Sequence, residues 1–245
     1  MQAVILAGGA GTRLYPLTRD IPKAMIDING RPFLLRVVEA LKRGGIKDFV
    51  FCAGHLAGQI KVFFGDGAHY GVHIAYSVEK EFMGTGGALK MAKRYLENDF
   101  FVVNGDTYLP VNYASVYKSF QRCGKAGLIV LYDNHEKIAE PNIAVNARGI
   151  VTGYVKMEKL KRGDQEMPLN NAAAAMCRFI DAGVQVFKKE ILGFIPPGRF
   201  SALETDVFPE LIKREELASR VVSQRYYDIG TPQRLRLARK MFKDL

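Results

Sequence analysis

The chain has 245 residues, of which 48% are apolar and 24% charged, and it carries a net charge of +10. That length can bury one sizeable α/β core, and the composition is that of an ordinary soluble globular protein. No apolar run approaches the roughly 18 residues of a membrane-spanning helix, and the first residues lack a basic n-region and a cleavage site, so the expected location is the cytoplasm, away from membranes. Cys52, Cys123 and Cys177 are odd in number, far apart and without a C-x-x-C pair, which reads as free thiols rather than disulfides or a metal site. The basic balance suits acidic partners. Because Lys and Arg are spread along the chain without an RNP-like, zinc-finger or basic-helix pattern, nucleic acid is not an expected partner.

In chain order, Ala3–Leu6 reads as a buried parallel strand that runs into Gly8, Gly9 and Gly11. A helix is expected over Phe33–Lys42, ended by Gly44-Gly45, then a strand over Phe49–Ala53 and a helix over His55–Phe64 that stops at Gly65-Asp66-Gly67. The strand His73–Val78 follows, then a helix over Gly86–Leu96 opened by a Gly-Thr-Gly-Gly turn. Phe100–Val103 is a strand ending at Asn104-Gly105-Asp106, followed by the helix Tyr113–Arg122 and the strand Leu128–Tyr132. This alternation implies an α/β fold with a doubly wound, mostly parallel, Rossmann-like mixed sheet. The pattern changes near residue 140. Ile143–Val145 and Ile150–Val155 suggest a β-hairpin, and Glu158 to Asn171 a loop or flap. A strand at Val184–Phe187, a helix at Glu204–Lys213 and a late strand at Val221–Ser223 come next. The basic stretch Arg234–Lys243 reads as an amphipathic helix with Leu235, Ala238, Met241 and Phe242 inward. One domain over residues 1–245 is expected, with the hairpin in its second half.

The glycines after the first strand let a ligand approach the backbone closely, and successive N–H groups in such a turn form a nest for phosphate oxygens. Arg13 and Lys23 add full positive charges, giving a triphosphate cradle. The loop is neither G-x-G-x-x-G nor G-x-x-x-x-G-K-[ST]. Asp106 sits just past a continuous apolar strand, at the edge where open α/β sheets bind ligands, and a carboxylate there invites Mg²⁺. Asp228, which ends a second short β-like run before Gly-Thr-Pro, is the expected second metal ligand. His69 and His73 flank Gly71 where a strand begins, so they are not read as metal ligands. No Ser-His-Asp or Cys-His arrangement is suggested by local motifs.

Ala7-Gly-Gly-Ala-Gly-Thr-Arg-Leu14 with Pro22-Lys23 resembles the start of the sugar-1-phosphate nucleotidyltransferases, and most of all the mannose-type and manno-heptose-type guanylyltransferases. The resemblance runs over nearly the whole chain and implies a nucleotide-binding half (1–135) and a sugar-phosphate-binding half (136–245) within the one domain. It implies a nucleotide site at Leu6, Ala7, Gly8, Gly9, Gly11, Thr12 and Arg13, continued by Glu79, Gly84, Thr85 and Gly86, where Phe82-Met83 stands in place of the usual Pro-Leu. It implies catalytic roles for Arg13, Lys23 and Asp106, Mg²⁺ held by Asp106 and Asp228, and sugar-phosphate contacts from Asn104, Gly105, Asp181 and Gly183. Lys156, or Lys159 nearby, matches the family lysine for the sugar phosphate. Phe200 to Pro209 resembles a segment of the manno-heptose enzymes, where Glu204 and Asp206 favourably start a helix.

The expected reaction joins a nucleoside triphosphate, GTP by resemblance, to a mannose-like or manno-heptose 1-phosphate and releases pyrophosphate. Thymidylyl, uridylyl or cytidylyl transfer on the same cradle, cytidylyl transfer to phosphocholine, and a non-catalytic nucleotide-sugar sensor are the alternatives. A sensor would be expected to lack Arg13, Lys23, Asp106 or Asp228, and all four are present. A homo-oligomer is compatible with the sequence.

Overall fold

The computed structural model describes residues 1–155 and 177–243. The expected flap Glu158–Asn171 and the lysines Lys156 and Lys159 lie outside the described residues. Among those described, no helix is long and apolar enough to cross a membrane.

The elements are β1 (Gln2–Ala7), α1 (Phe33–Arg43), β2 (Asp48–Ala53), α2 (Ala57–Phe64), β3 (His73–Val78), α3 (Gly84–Met91), β4 (Asp99–Asn104) and β5 (Thr107–Tyr108). There follow α4 (Tyr113–Cys123), β6 (Gly127–Tyr132), β7 (Ile143–Val145), β8 (Val151–Tyr154), β9 (Ile180–Lys188), α5 (Phe208–Lys213), β10 (Leu217–Val222), β11 (Tyr227–Asp228) and α6 (Pro232–Met241). Seven strands form one sheet in the order β10-β6-β9-β4-β1-β2-β3. The pairs β1/β4, β1/β2, β2/β3 and β10/β6 are parallel, and β9 is antiparallel to both of its neighbours. The sheet is therefore mixed and mostly parallel, and β7 with β8 forms the separate antiparallel hairpin.

Strand alternation explains why the sheet is covered on both faces. Ala3, Ile5, Phe101 and Val103 point into one core with Phe33, Leu34, Val37 and Leu41 of α1, Val116 and Phe120 of α4, and Leu235 of α6. Val4, Phe100 and Val102 point the other way, against Leu89 of α3 and Phe208 and Leu211 of α5. Strands buried on both sides must be apolar at every position, which is why they appear as continuous runs. Each such side chain removed from water contributes about 1.5–3 kcal/mol.

Several boundaries move for local reasons. Leu56 has a φ of 55°, so α2 begins at Ala57 and not at His55. α3 starts at Gly84, ends at Met91 and tightens into a 3-10 turn over Ala92–Tyr95. The expected helix at Glu204 begins as a π-helical turn, Leu203–Val207, before α5. The strand expected at Val184–Phe187 is part of the second half of β9, and the one at Val221–Ser223 overlaps only the end of β10, which stops at Val222. Asn112 caps α4 by accepting from Ser115 N–H at 2.9 Å, and Thr231 caps α6 from Arg234 N–H at 3.3 Å. α6 is pinned to the body by Phe242, whose ring meets Tyr108 at 4.8 Å and Phe33 at 6.2 Å, with the Arg36 guanidinium 4.4 Å above it.

Candidate functional site

β1, β2, β3 and β4 are parallel, so their carboxyl ends share one edge of the sheet, where open α/β sheets bind ligands. A cleft of about 420 Å³ opens there. Leu6, Ala7, Gly8, Gly9, Gly11, Thr12 and Arg13 line it from the loop after β1, and Lys23 from the following turn. Glu79, Gly84 and Thr85 line it from beyond β3, and Asn104 and Asp106 from the end of β4.

Gly8 shows why that loop is glycine-rich. A Cβ there would collide with the Glu79 carboxylate, and one on Gly54 would lie 2.8 Å from the same carboxylate. Glu79 is buried, and burial raises its pKa while the Met83 N–H, donating at 3.0 Å, lowers it. Cys52 lines the cleft next to it and is no nucleophile, because burial, with the Glu79 charge, pushes its thiol up to about 12. Thr18, fully buried, donates to Gly11 O at 2.8 Å and fixes the far end of the loop.

The two aspartates are held differently. Asp106 lines the cleft, and its Oδ2 pairs with Lys23 Nζ. Asp228 is absent from the cleft lining and borders a small separate pocket with Arg225 and Arg234; it accepts from Gly230 N–H and from Arg234 Nη1, each at 2.9 Å. The two-residue ladder of β5 and β11 sets Asp228 opposite Thr107, and Ile229 N–H donates to Asp106 O at 3.1 Å. A Cβ placed on Gly230 would stand 2.9 Å from Asp228 Oδ1 and 3.7 Å from both Arg13 Nη2 and Lys23 Nζ. Arg13, Lys23 and Asp228 therefore converge on one point of the cleft wall, with Asp106 held on Lys23. Among the described residues no group of three or more His, Cys, Asp or Glu gathers as a cation cage. A pair of hard carboxylates beside a phosphate cradle fits Mg²⁺, which takes one or two carboxylates and completes its shell with water and phosphate.

Other expected site residues occupy different positions. Gly86 is absent from the lining; its N–H donates to Ser201 O at 2.9 Å, and a Cβ there would lie 2.7 Å from Ser201 Oγ. Gly105 is wedged under β1, with its N–H donating to Leu6 O at 2.9 Å. Both glycines permit close backbone packing rather than face the cleft. Asp181 and Gly183 sit on a bulge of β9 behind Asn104, whose Nδ2 lies 3.2 Å from where a Gly183 Cβ would be. Asp181 Oδ1 accepts from Gly183 N–H at 2.8 Å and Gln185 Nε2 at 3.1 Å. Burial pushes its pKa up to about 7, against the Gly183 N–H; the Glu204 charge raises it further, and hydrogen bonds from Gln185 and Tyr154 lower it.

Glu204 is the residue whose place the sequence leaves open. Its side chain lines the cleft, and its Oε2 accepts from Thr85 Oγ1 at 3.1 Å, while Thr85 Oγ1 accepts from Leu203 N–H at 2.8 Å. Asp206, by contrast, turns back to Ser201 Oγ and Ala202 N–H. Phe82 also lines the cleft. In the sequence it is only a departure from a motif.

Residues 2–244 match the family model described as nucleotidyl transferase. Mannose-1-phosphate guanyltransferase of Schizosaccharomyces pombe is 31% identical over 240 residues, 95% of this chain and 62% of that protein. D-glycero-alpha-D-manno-heptose 1-phosphate guanylyltransferase of Campylobacter jejuni is 45% identical over 112 residues, 46% of this chain and 50% of that one. The chain thus spans less than two thirds of the length of these relatives. The crystal structure of HddC from Yersinia pseudotuberculosis superposes with a TM-score of 0.78 at 28% identity, covering 98% of this chain and 99% of that one. HddC has also been solved complexed with GMP-PN, with a TM-score of 0.76 at 27% identity. With the cradle at the strand ends and a family match over almost every residue, the chain belongs to the nucleotidyl transferase family.

Proposed function

We propose that the chain transfers a nucleoside monophosphate from a triphosphate, GTP by preference, to a mannose-like or manno-heptose 1-phosphate. An oxygen of the sugar phosphate attacks the α-phosphorus, the α–β phosphoanhydride bond breaks, and pyrophosphate leaves with the bonding pair. The observation that carries this reading is the convergence of Arg13, Lys23 and Asp228 on Gly230, with Asp106 held on Lys23. The guanylyltransferase names of the relatives and the GMP-PN complex of HddC support guanine and a manno-configured acceptor.

The chain's own groups divide the work. Backbone N–H groups of Gly8 to Gly11 receive the phosphates, and Arg13 balances the charge that builds on the departing pyrophosphate. Lys23 does the same at the α-phosphate. Asp106 and Asp228 would hold Mg²⁺, which when bound neutralises phosphate charge and helps align the two substrates. With an acceptor already dianionic, catalysis is mostly alignment and charge neutralisation. Asn104, with Asp181 and Gly183 behind it, faces the sugar, and Lys156 or Lys159 takes the sugar phosphate. Residues 1–135 supply most of the nucleotide side and 136–245 most of the acceptor side, within one domain working in the cytoplasm.

The test is pyrophosphate release with Mg²⁺, offering GTP, dTTP, UTP, CTP and ATP separately. Each is paired with mannose-, glucose-, N-acetylglucosamine- and manno-heptose 1-phosphate. Release that needs both GTP and a manno-configured acceptor is the expected result. Silence across the grid from folded protein that still binds a nucleotide sugar would replace the transferase with a sensor.

A further inference from the structure

Two large apolar rings stand in solvent at the mouth of the cleft. Phe82 is 63% exposed and Phe200 58%, with ring centroids 5.8 Å apart and planes tilted by 53°. Phe82 forms part of the cleft wall. Phe200, from the loop before the π-helical turn, is not in that wall but extends it outward through its contact with the Phe82 ring. The backbone beneath the pair is locked. Ser201 N–H donates to Met83 O at 2.9 Å, and Gly86 and Gly87 donate to Ser201 O at 2.9 and 3.1 Å. Gly84, at a φ of +74°, lets the Phe200 ring close in, since a Cβ there would lie 2.9 Å from it. The frame is rigid while the rings are left uncovered.

An aromatic side chain brings about 150–250 Å² of surface that gains by being covered, and two such rings together favour a flat occupant. The cleft indicates which one. Its cations, Arg13 and Lys23, mark the phosphate end, whereas Phe82 shares the wall with Leu6, Cys52, Ala88 and the Glu79 carboxylate. A planar group with apolar faces and a polar edge, tethered to a phosphate chain, matches that lining. A pyranose can also lay its C–H face on an aromatic ring, but the acceptor proposed above sits at Asn104 at the end of β4, three positions across the sheet from β3, which Phe82 follows.

We propose that Phe82 and Phe200 form an aromatic platform on which the nucleobase of the triphosphate stacks, and that the platform favours a purine because the larger ring covers more of it. This rests on the nucleotidyl transfer proposed above and adds to it a source of base preference. Both side chains are exposed, so substitution leaves the fold intact.

Calorimetric binding of GTP, UTP and inorganic tripolyphosphate to the full chain and to Phe82→Ala, Phe200→Ala and Phe82→Tyr tests it, together with the KM of each substrate. Phe82→Ala should weaken GTP binding about tenfold or more, the usual effect of losing a stacked base. Phe200→Ala should weaken it less. UTP should lose less than GTP, tripolyphosphate nothing, and Phe82→Tyr, which keeps a ring at that place, should retain most of the GTP affinity that Phe82→Ala loses. The sugar-phosphate KM should not move. Unchanged GTP affinity in both alanine variants overturns the platform, as does a loss shared equally by tripolyphosphate, an effect confined to the sugar-phosphate KM, or dissociation of an oligomer with nucleotide affinity intact. Equal losses for GTP and UTP overturn the purine preference. A chain that turns GTP over while its phenylalanine variants are unaffected refutes the platform alone; an unaltered chain that binds no nucleotide refutes both readings.

Discussion

On the side proposed for the nucleotide, β1 to β4 run parallel and release the glycine loop, Gly54, Glu79 and Asp106 at one shared edge. On the side proposed for the acceptor, β9 runs against both neighbours, and the residues proposed to serve the sugar sit on a bulge at Asp181–Gly183 within the strand. Asp228 arrives on a ladder only two residues long. The parallel half gathers its groups by the direction of its strands. The antiparallel half has to use irregularities, because an antiparallel strand brings its amino end to that edge. Function on the first side is written in contiguous motifs, and on the second in single residues that tertiary packing brings together.

The sharpest way to break this contrast is at Asp106. Asp106→Ala should lower kcat about a thousandfold, near the upper end for losing one charge-stabilising group, with the thermal midpoint little changed because the side chain is partly exposed. Near-normal turnover in that variant would remove the metal assignment and leave the parallel edge a binding site alone. Next is Gly84→Ala, which forces a side chain onto a φ of +74° and into the Ser201 carbonyl and the Phe200 ring. A stability loss of about 1–3 kcal/mol in denaturant unfolding is expected. A neutral result would mean that the 196–201 loop yields and does not frame the cleft.

The acceptor side is sharpened by pH. In the folded chain Asp181 keeps its proton up to about 7, whereas an unfolded aspartate loses it near 4. Between those values the folded state binds the extra proton, so this carboxyl's contribution to stability falls as pH rises from about 4 to about 7. Asp181→Asn should flatten that slope and raise stability at pH 8 by about 1–2 kcal/mol, read from denaturant midpoints at pH 5 and pH 8. An unchanged slope would mean that Asp181 ionises freely and that the bulge is well solvated. The smallest effect belongs to Arg234→Ala. Its pair with Asp228 is half in solvent, so less than about 1 kcal/mol of stability should be lost. A larger loss would show that the ion pair, rather than the ladder, holds Asp228 in place.

Most of the sheet is legible in the sequence, because strands covered on both faces leave unbroken apolar runs, and His73–Val78 reads with its observed bounds. The ends of helices are less legible where one residue takes an unusual conformation, as Leu56 does. β9 reads as four residues and is nine long, because Asp181 and Gly183 interrupt its pattern. Nothing in its composition states that it runs antiparallel. β10 is missed at its start, where Ser219 and Arg220 break the apolar run. The cradle is legible because its glycines and cations are neighbours in the chain. Glu204 is not, because Glu204 and Asp206 look alike in sequence and only packing sends one to the cleft and the other back to Ser201.

The short ladder between β5 and β11, with α6 fastened behind it by Phe242, works as a clasp between distant parts of the chain. Two residues of ladder hold Asp228 opposite Thr107, and behind them the Phe242 ring rests on Phe33 and Tyr108. Asp228 is thus anchored by aromatic packing from α6 more than by strand pairing of its own, so loosening that ring is expected to shift Asp228 while the seven-stranded sheet stays whole.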